Sequence, residues 1–495
     1  MEFLAQLQLG LQTALTAQNL LFVGLGAALG TLVGVLRGVG PAAVIALLLP
    51  CVYWFDAMPV IIMLAALYYG SQYGTSTAAM LAARRGEALP VLAGAQDAQK
   101  TGSALAIAAF GSFVAGCVTA FLIAMLVPTL ANWGLTLGSQ DYFSLMVLAL
   151  AGAVVLASGS LVKAIAMVVL GLLLGQANSE SGVALNLHPM DKGLAFVVFA
   201  MGVFGFSEFI AKVANLPTGS GADAVPVVRL RDMVLARVQV REGAPAVARG
   251  TALGTLMGML PGGGAALASF AANTLERFVA KDRVAAVGQG AVAGIAGPES
   301  ARNAGAQASF IPMLGLGIAP NAVLALMVGA MSMKGMQSGP QWLSTNASLF
   351  WGLVASMWVG NVLLLALNLP FVHLWIQLLR VPNRILFPAI LVLCCFACFS
   401  LAGSDVALYW VAAFSLLGYA LHKLSCEPAP LLLGFMLGPQ MQAHLHEALV
   451  STQGDLSSFV TQPLSAAFLI GALILILSVV LPSVRKGRKQ AFVQG

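Results

Sequence analysis

Long apolar stretches follow one another along this chain, separated only by short polar breaks. Several, including 104–127, 347–370 and 466–482, reach the ~20 residues a helix needs to cross a bilayer. The pattern predicts spans over 59–81, 103–128, 143–159, 160–176, 193–211, 305–333, 347–370, 384–401, 404–422, 428–450 and 463–483. Two further Gly-dense segments, 26–51 and 250–272, are read as hairpins that enter the membrane and turn back. The expected fold class is therefore an all-α polytopic membrane protein. It has about 11–12 transmembrane helices in two inverted repeats, each with a Gly-rich re-entrant or broken helix.

The repeat is visible in the residues. Residues 26–43 read GAALGTLVGVLRGVGPAA and residues 250–267 read GTALGTLMGMLPGGGAAL; at an offset of 224 positions, 11 of the 18 pairs are identical. The pairs Gly26/Gly250, Gly30/Gly254 and Gly34/Gly258 recur every four residues, a spacing that lets helices pack closely. Gly38 and Gly40, like Gly262 and Gly264, follow an Arg or a Pro and mark a helix break. Broken helices at membrane depth expose backbone groups, which protein or a watery cavity must satisfy. The alternative is a pair of packing helices with no ligand.

Composition agrees with the pattern. Of 495 residues, 59% are hydrophobic and 8% charged, against about 25% charged in soluble domains. The net charge of +6 is no nucleic-acid signature, because the basic residues sit in short loops. They cluster at 84–85 and 100, at 229–249, at 277–283, at 380–384, at 423 and in the tail at 485–489. The loops 131–142, 176–189, 338–346 and 451–462 carry none. The positive-inside rule makes the first set cytoplasmic and the second external, which places the C-terminus in the cytoplasm. The expected organisation is a membrane repeat over 1–213, a cytoplasmic basic linker over 214–249, and a second repeat with a basic tail over 250–495. The first 36 residues lack Lys and Arg, so no cleavable signal peptide with a basic n-region is expected. Cys394, Cys395 and Cys398 lie in an apolar run without His or carboxylate partners and read as small buried thiols.

A charge at mid-membrane costs about 2.5–3.5 kcal/mol on insertion scales, so polar residues in apolar stretches are the functional candidates. Ser71, Gln72, Thr75, Ser76 and Thr77 place hydroxyls and an amide inside the first predicted span. With Glu299 they form the expected ion-binding set, Na⁺ (or H⁺) being the coupling ion and no other metal or cofactor being expected. Interhelical hydrogen bonding by the same residues is the alternative. Glu299 and Arg302 are spaced to pair on one helix face; a solvated ion pair at a capped cytoplasmic helix start would look the same. The expected substrate-binding set is Arg37, Gly38 and Gly40 at one break, Pro261, Gly262, Gly263 and Gly264 at the other, and Asn303. Arg37 suits bidentate capture of a carboxylate, or it snorkels. Glu208 reads as an i, i+4 partner of Lys212. No enzyme is expected: His446-Glu447 opens like a zinc-protease motif that ends in Val450, and Gly262–Gly264 lack the Lys-Ser/Thr of a P-loop.

Along nearly its whole length the chain resembles the large, TctA-type membrane subunit of tripartite tricarboxylate transporters. The resemblance rests on the paired GTLxGxL segments, YYGSQYGTSTAAML, DAQKTGSALAIAAFGSF, GQGAVAGIAGPESARNAGAQASFIPMLGLGIAPNAVLALMVGA, SGPQ and LGYALHKLSCEPAPLLLGFMLGP. It implies a bacterial inner-membrane permease for carboxylate uptake, driven by Na⁺ or H⁺. Its partners would be a small membrane subunit of a few spans, a periplasmic solute-binding protein, the organic acid and membrane lipid. A stand-alone ion-coupled organic anion exchanger is the alternative. Departures from the family's pattern fall at Arg37-Gly38 (where the family carries Pro-Gly), at residues 82–87, at Arg302 (where it carries Asn) and at Ala319-Pro320. They bear on which acid is carried.

Overall fold

A computed structural model describes residues 2–36, 39–82, 98–157, 160–177, 192–214, 230–280, 292–336, 338–378, 383–402 and 405–478. Among the described residues the elements are all helical. The first half of the chain comprises α1 (Glu2–Ala14), α2 (Ala17–Val35), α3 (Pro41–Trp54), α4 (Ala57–Ala82), α5 (Ala98–Gly134), α6 (Ser139–Leu156) and α7 (Leu161–Ala177). It ends with α8 (Lys192–Ala200) and α9 (Ser207–Ala214), joined without interruption by a π-helical turn over Met201–Phe206. The second half begins with α10 (Arg237–Met259), α11 (Ala265–Ala280), α12 (Val292–Ala308), α13 (Phe310–Leu316) and α14 (Ala322–Met333). It continues through α15 (Pro340–Thr345), α16 (Ala347–Asn368), α17 (Val372–Leu378), α18 (Asn383–Ala402) and α19 (Val406–Lys423). The last helices are α20 (Ala429–Ser451), α21 (Ser458–Thr461) and α22 (Pro463–Ser478). Among the described residues six helices are long and apolar enough to cross a membrane, and the protein is an all-α, polytopic membrane protein.

The two breaks fall where the internal repeat places them. The α2 helix ends at Val35 and α3 begins at Pro41; α10 ends at Met259 and α11 begins at Ala265, the same positions displaced by the repeat offset. Local chemistry explains the break. Gly40 is the N-cap before Pro41 at N1, where the missing proline N–H costs nothing. In the second copy Gly262 (φ 76°) and Gly264 (φ 154°) hold backbone that a side chain would strain.

The glycine rows serve close packing. A Cβ on Gly26 or Gly30 would press on the backbone around Met63 or Leu67 of α4, and one on Gly34 on Ser71 of the same helix. On Gly250, Gly254 or Gly258 it would press on Gly297, Ala301 or Gly305 of α12. Helix α12 thus stands to α10 as α4 stands to α2. Lipid tails are as apolar as leucine, so such backbone contact supplies the van der Waals attraction that holds helices together here.

Most predicted spans coincide with helices, but two readings need correction. Residues 305–333 are not one span: the helix stops at Leu316, Gly317 takes the left-handed conformation (φ 78°), and Pro320 precedes a fresh start capped by Asn321. The polar group at 297–305 is not a solvated helix start either. It occupies the body of α12, where Glu299 is 1% exposed and Ser300 and Asn303 are fully buried. Helix α10 also begins at Arg237 and runs unbroken into the Gly-rich row, so the segment read as linker is partly helical.

Candidate functional site

The polar residues of the first span and those of α12 lie 223 positions apart in sequence and meet in the structure. Helix α4 delivers Ser76, whose hydroxyl donates to the Glu299 carboxylate of α12 and lies 3.0 Å from the Gln72 carbonyl one turn back. Beside it the Thr77 hydroxyl donates to Asn368 Oδ1 of α16 (2.9 Å), and Asn368 Nδ2 reaches Thr31 of α2 (3.3 Å). One turn along the same face of α12, Asn303 Nδ2 donates to Ser112 Oγ of α5 (2.7 Å) and to the Glu299 carbonyl (3.2 Å). Further along, Gln307 donates to Asn361 Oδ1 of α16 (2.9 Å). Helices α2, α4, α5, α12 and α16 are therefore tied by one set of buried polar contacts, which in a low-dielectric interior fixes their register strongly.

The expected ion-binding residues are only partly assembled. Ser76 and Glu299 are together, and Thr77 is one residue away on another partner. The Ser71 hydroxyl turns back to the Tyr68 carbonyl (2.6 Å) and accepts from Gln72 Nε2 (2.9 Å); Thr75 bonds the Ser71 carbonyl (2.8 Å) and is exposed. The run is also not remote from a carboxylate, because Glu299 supplies one. Two buried oxygens of the same helix, Ser300 Oγ and Asn303 Oδ1, have no hydrogen-bond partner; Ser300 Oγ faces Gly111 of α5. With the Glu299 carboxylate and the Ser76 hydroxyl they are oxygens of the kind that hold a hard cation.

The expected substrate-binding residues divide between the two breaks. Arg37 and Gly38 lie outside the described residues. The Gly40 N–H is already taken: it donates to Glu208 Oε1 (2.9 Å). Glu208 thus caps the start of α3 rather than merely pairing with Lys212. A π turn over Met201–Phe206 ends two residues before Glu208, and such turns are frequent at functional positions. At the second break, Gly262 N donates to the Pro320 carbonyl (2.7 Å) and Gly263 N to the Leu260 carbonyl (2.8 Å). Pro261 packs its backbone on Gly152 of α6, and Gly264 faces Asn321. Asn321 in turn donates to the Tyr68 hydroxyl of α4 (3.2 Å). A polar path thus leads from the second break to α4, the helix that carries Ser76.

Sequence reading missed Ser112, Asn321, Asn361 and Asn368 as members of this network. A signal was present, since Asn361 and Asn368 are isolated amides seven residues apart on one face of an otherwise apolar helix. It also missed the bidentate pair of Arg249 with Glu276 (2.9 and 2.7 Å), which joins α10 to α11 under Gly297. Groups of three or more metal-ligating side chains are absent among the described residues.

A protein from Agrobacterium vitis, described as an uncharacterized 52.8 kDa protein in the TAR-I ttuC' 3' region, is 44% identical over 504 residues. The match spans all of this chain and 99% of that one. A second from the same organism, an uncharacterized protein in the TAR-II ttuC' 3' region, is 47% identical over 241 residues, 49% of this chain and 99% of its own. No solved structure matches. The profile of the tripartite tricarboxylate transporter TctA family matches residues 20–433, and with this helical architecture behind it the chain belongs to that transporter family.

Proposed function

We propose that this protein is the large permease subunit of a tripartite, secondary importer in a bacterial inner membrane. It would take a carboxylate from a periplasmic binding protein, work beside a small membrane subunit, and draw on a Na⁺ (or H⁺) gradient. The observation that carries the reading is the meeting of Ser76 and Glu299 where the equivalent helices of the two repeats touch. A buried carboxylate and hydroxyl between two moving halves can bind a cation in one arrangement and release it in another. The decisive experiment is uptake of labelled succinate, malate or citrate into proteoliposomes holding all three proteins, under an imposed Na⁺ or H⁺ gradient. Accumulation that needs the binding protein and one gradient supports the reading. Accumulation without the binding protein favours a stand-alone exchanger.

The orientation has its own test. Ser457, in the turn before α21, and Ala236, just ahead of α10, are both exposed. A cysteine at Ser457 should react with an impermeant thiol reagent in intact cells, and one at Ala236 only after the membrane is opened. The companion external position, Ser181, lies outside the described residues. Labelling of position 236 in intact cells would reverse the assignment.

A further inference from the structure

Two arginine–carboxylate pairs lie along the second repeat, and they are built differently. Arg249 forms a complete fork on Glu276, with Nε on one oxygen (2.9 Å) and Nη2 on the other (2.7 Å). Arg302 makes no such fork. Its Nε is buried without a hydrogen-bond partner, and the nearest carboxylate oxygen, Glu299 Oε2, is 3.9 Å away. That oxygen accepts instead from Ser76. A guanidinium carries five N–H donors and cannot shed its charge; donors left unmade in a poorly hydrated interior are costly. The Arg302 side chain is 18% exposed while Glu299 is 1% exposed, so the arginine can be reached from outside the packed core and its partner cannot.

The neighbours of α12 define which sector Arg302 occupies. Glu299 reaches α4, Asn303 reaches α5, and Ala301 packs on Ala268 and Ala272 of α11. Arg302 therefore falls in the sector between α4 and α11. One turn along, Gly305 lies against Gly264 of the second break, and Gly264 faces the Asn321 amide that bonds Tyr68. The Asn321 amide and the Tyr68 hydroxyl are already bonded to each other, so the unpartnered Nε of Arg302 is the donor left for an anion.

We propose that Arg302 captures a carboxylate of the transported acid in the sector between α4 and α11, a role that rests on the importer reading above. Arg302 and Glu299 together are neutral. A bound carboxylate leaves the site negative, and a co-transported cation restores the balance.

The test is uptake by the full three-protein system of the acid, among succinate, malate and citrate, that the wild type accumulates. Arg302→Gln should raise the apparent KM about tenfold or more, with Vmax little changed, as loss of a charge-assisted fork does. Arg302→Lys keeps the charge but not the planar fork and should fall between the two. Discrimination against the acid's monomethyl ester should shrink in Arg302→Gln, which a merely structural arginine would not cause. An unchanged KM with lowered Vmax and lowered thermal stability would make Arg302 a structural partner of Glu299 and overturn the proposal. If Arg302→Gln does not fold, unaltered KM and ester discrimination in folded Arg302→Lys overturns it equally. A wild type that accumulates none of these acids overturns the importer reading and the proposal with it.

Discussion

Replacing Gly254 by leucine should eliminate the folded protein, while the same change at Gly24 should be tolerated. The two glycines both sit in Gly-rich helices, so composition does not separate them. Geometry does. A Cβ at Gly254 would stand 2.7 Å from the Ala301 Cα and closer still to its carbonyl oxygen, whereas one at Gly24 meets nothing within 4 Å. The obstacle at Gly254 is backbone, which cannot swing aside as a side chain can. Even a single extra methyl forced into a packed contact costs about 1–3 kcal/mol, and leucine adds three more carbons on the same line. Separating α10 from α12 would also pull Glu299 away from Ser76, because α12 carries that carboxylate. The measurement is the monodisperse fraction and the melting temperature in detergent. A folded, active Gly254→Leu would show that the α10–α12 seam is not the close contact described here. Gly30→Leu on the α2–α4 seam should behave like Gly254→Leu, because it meets the Leu67 backbone in the equivalent way.

The seam was legible in the sequence because it is written twice. Eleven identities in eighteen positions gave both the glycine rows and the breaks, and helices ending at Val35 and Met259 reproduce the offset residue for residue. The break inside 305–333 was not legible, since Gly317, Ala319 and Pro320 sit among residues as apolar as any span, and hydropathy averages over them. What escaped most completely was contact. Nothing local marks Ser76 and Glu299 as partners, or Gly40 and Glu208, because each pair joins elements more than 150 positions apart whose rotation is set by packing. The burial of Glu299 escaped for a related reason. A Glu and an Arg three residues apart, after a loop with basic residues, look the same on a wet helix end as in a packed core, and only the glycine seam on the opposite face of α12 distinguishes them.

Glu299→Gln should abolish gradient-driven uptake and leave the protein folded. Glutamine keeps the shape and can still bond the Ser76 hydroxyl, so the contact between α4 and α12 survives and only the charge is lost. An acidic group held at 1% exposure within a membrane helix carries an insertion cost of about 2.5–3.5 kcal/mol that packing alone does not require. Ser76→Ala should act more mildly, lowering uptake about tenfold, because it removes one neutral ligand and leaves the carboxylate in place. The oxygens around Glu299 suit Na⁺, so wild-type uptake should fall when Na⁺ is withdrawn, and Glu299→Gln should no longer respond to it. Undiminished uptake in Na⁺-free medium under a pH gradient would reject Na⁺ and make the proton the coupling ion. Glu299, buried where α4 and α12 meet, and Asp405, exposed ahead of α19, are then the first carboxylates to test as its carrier. If Glu299 is that carrier, Glu299→Gln would still be inactive. Wild-type rates in Glu299→Gln under both gradients would remove this carboxylate from coupling altogether and leave its burial a matter of packing.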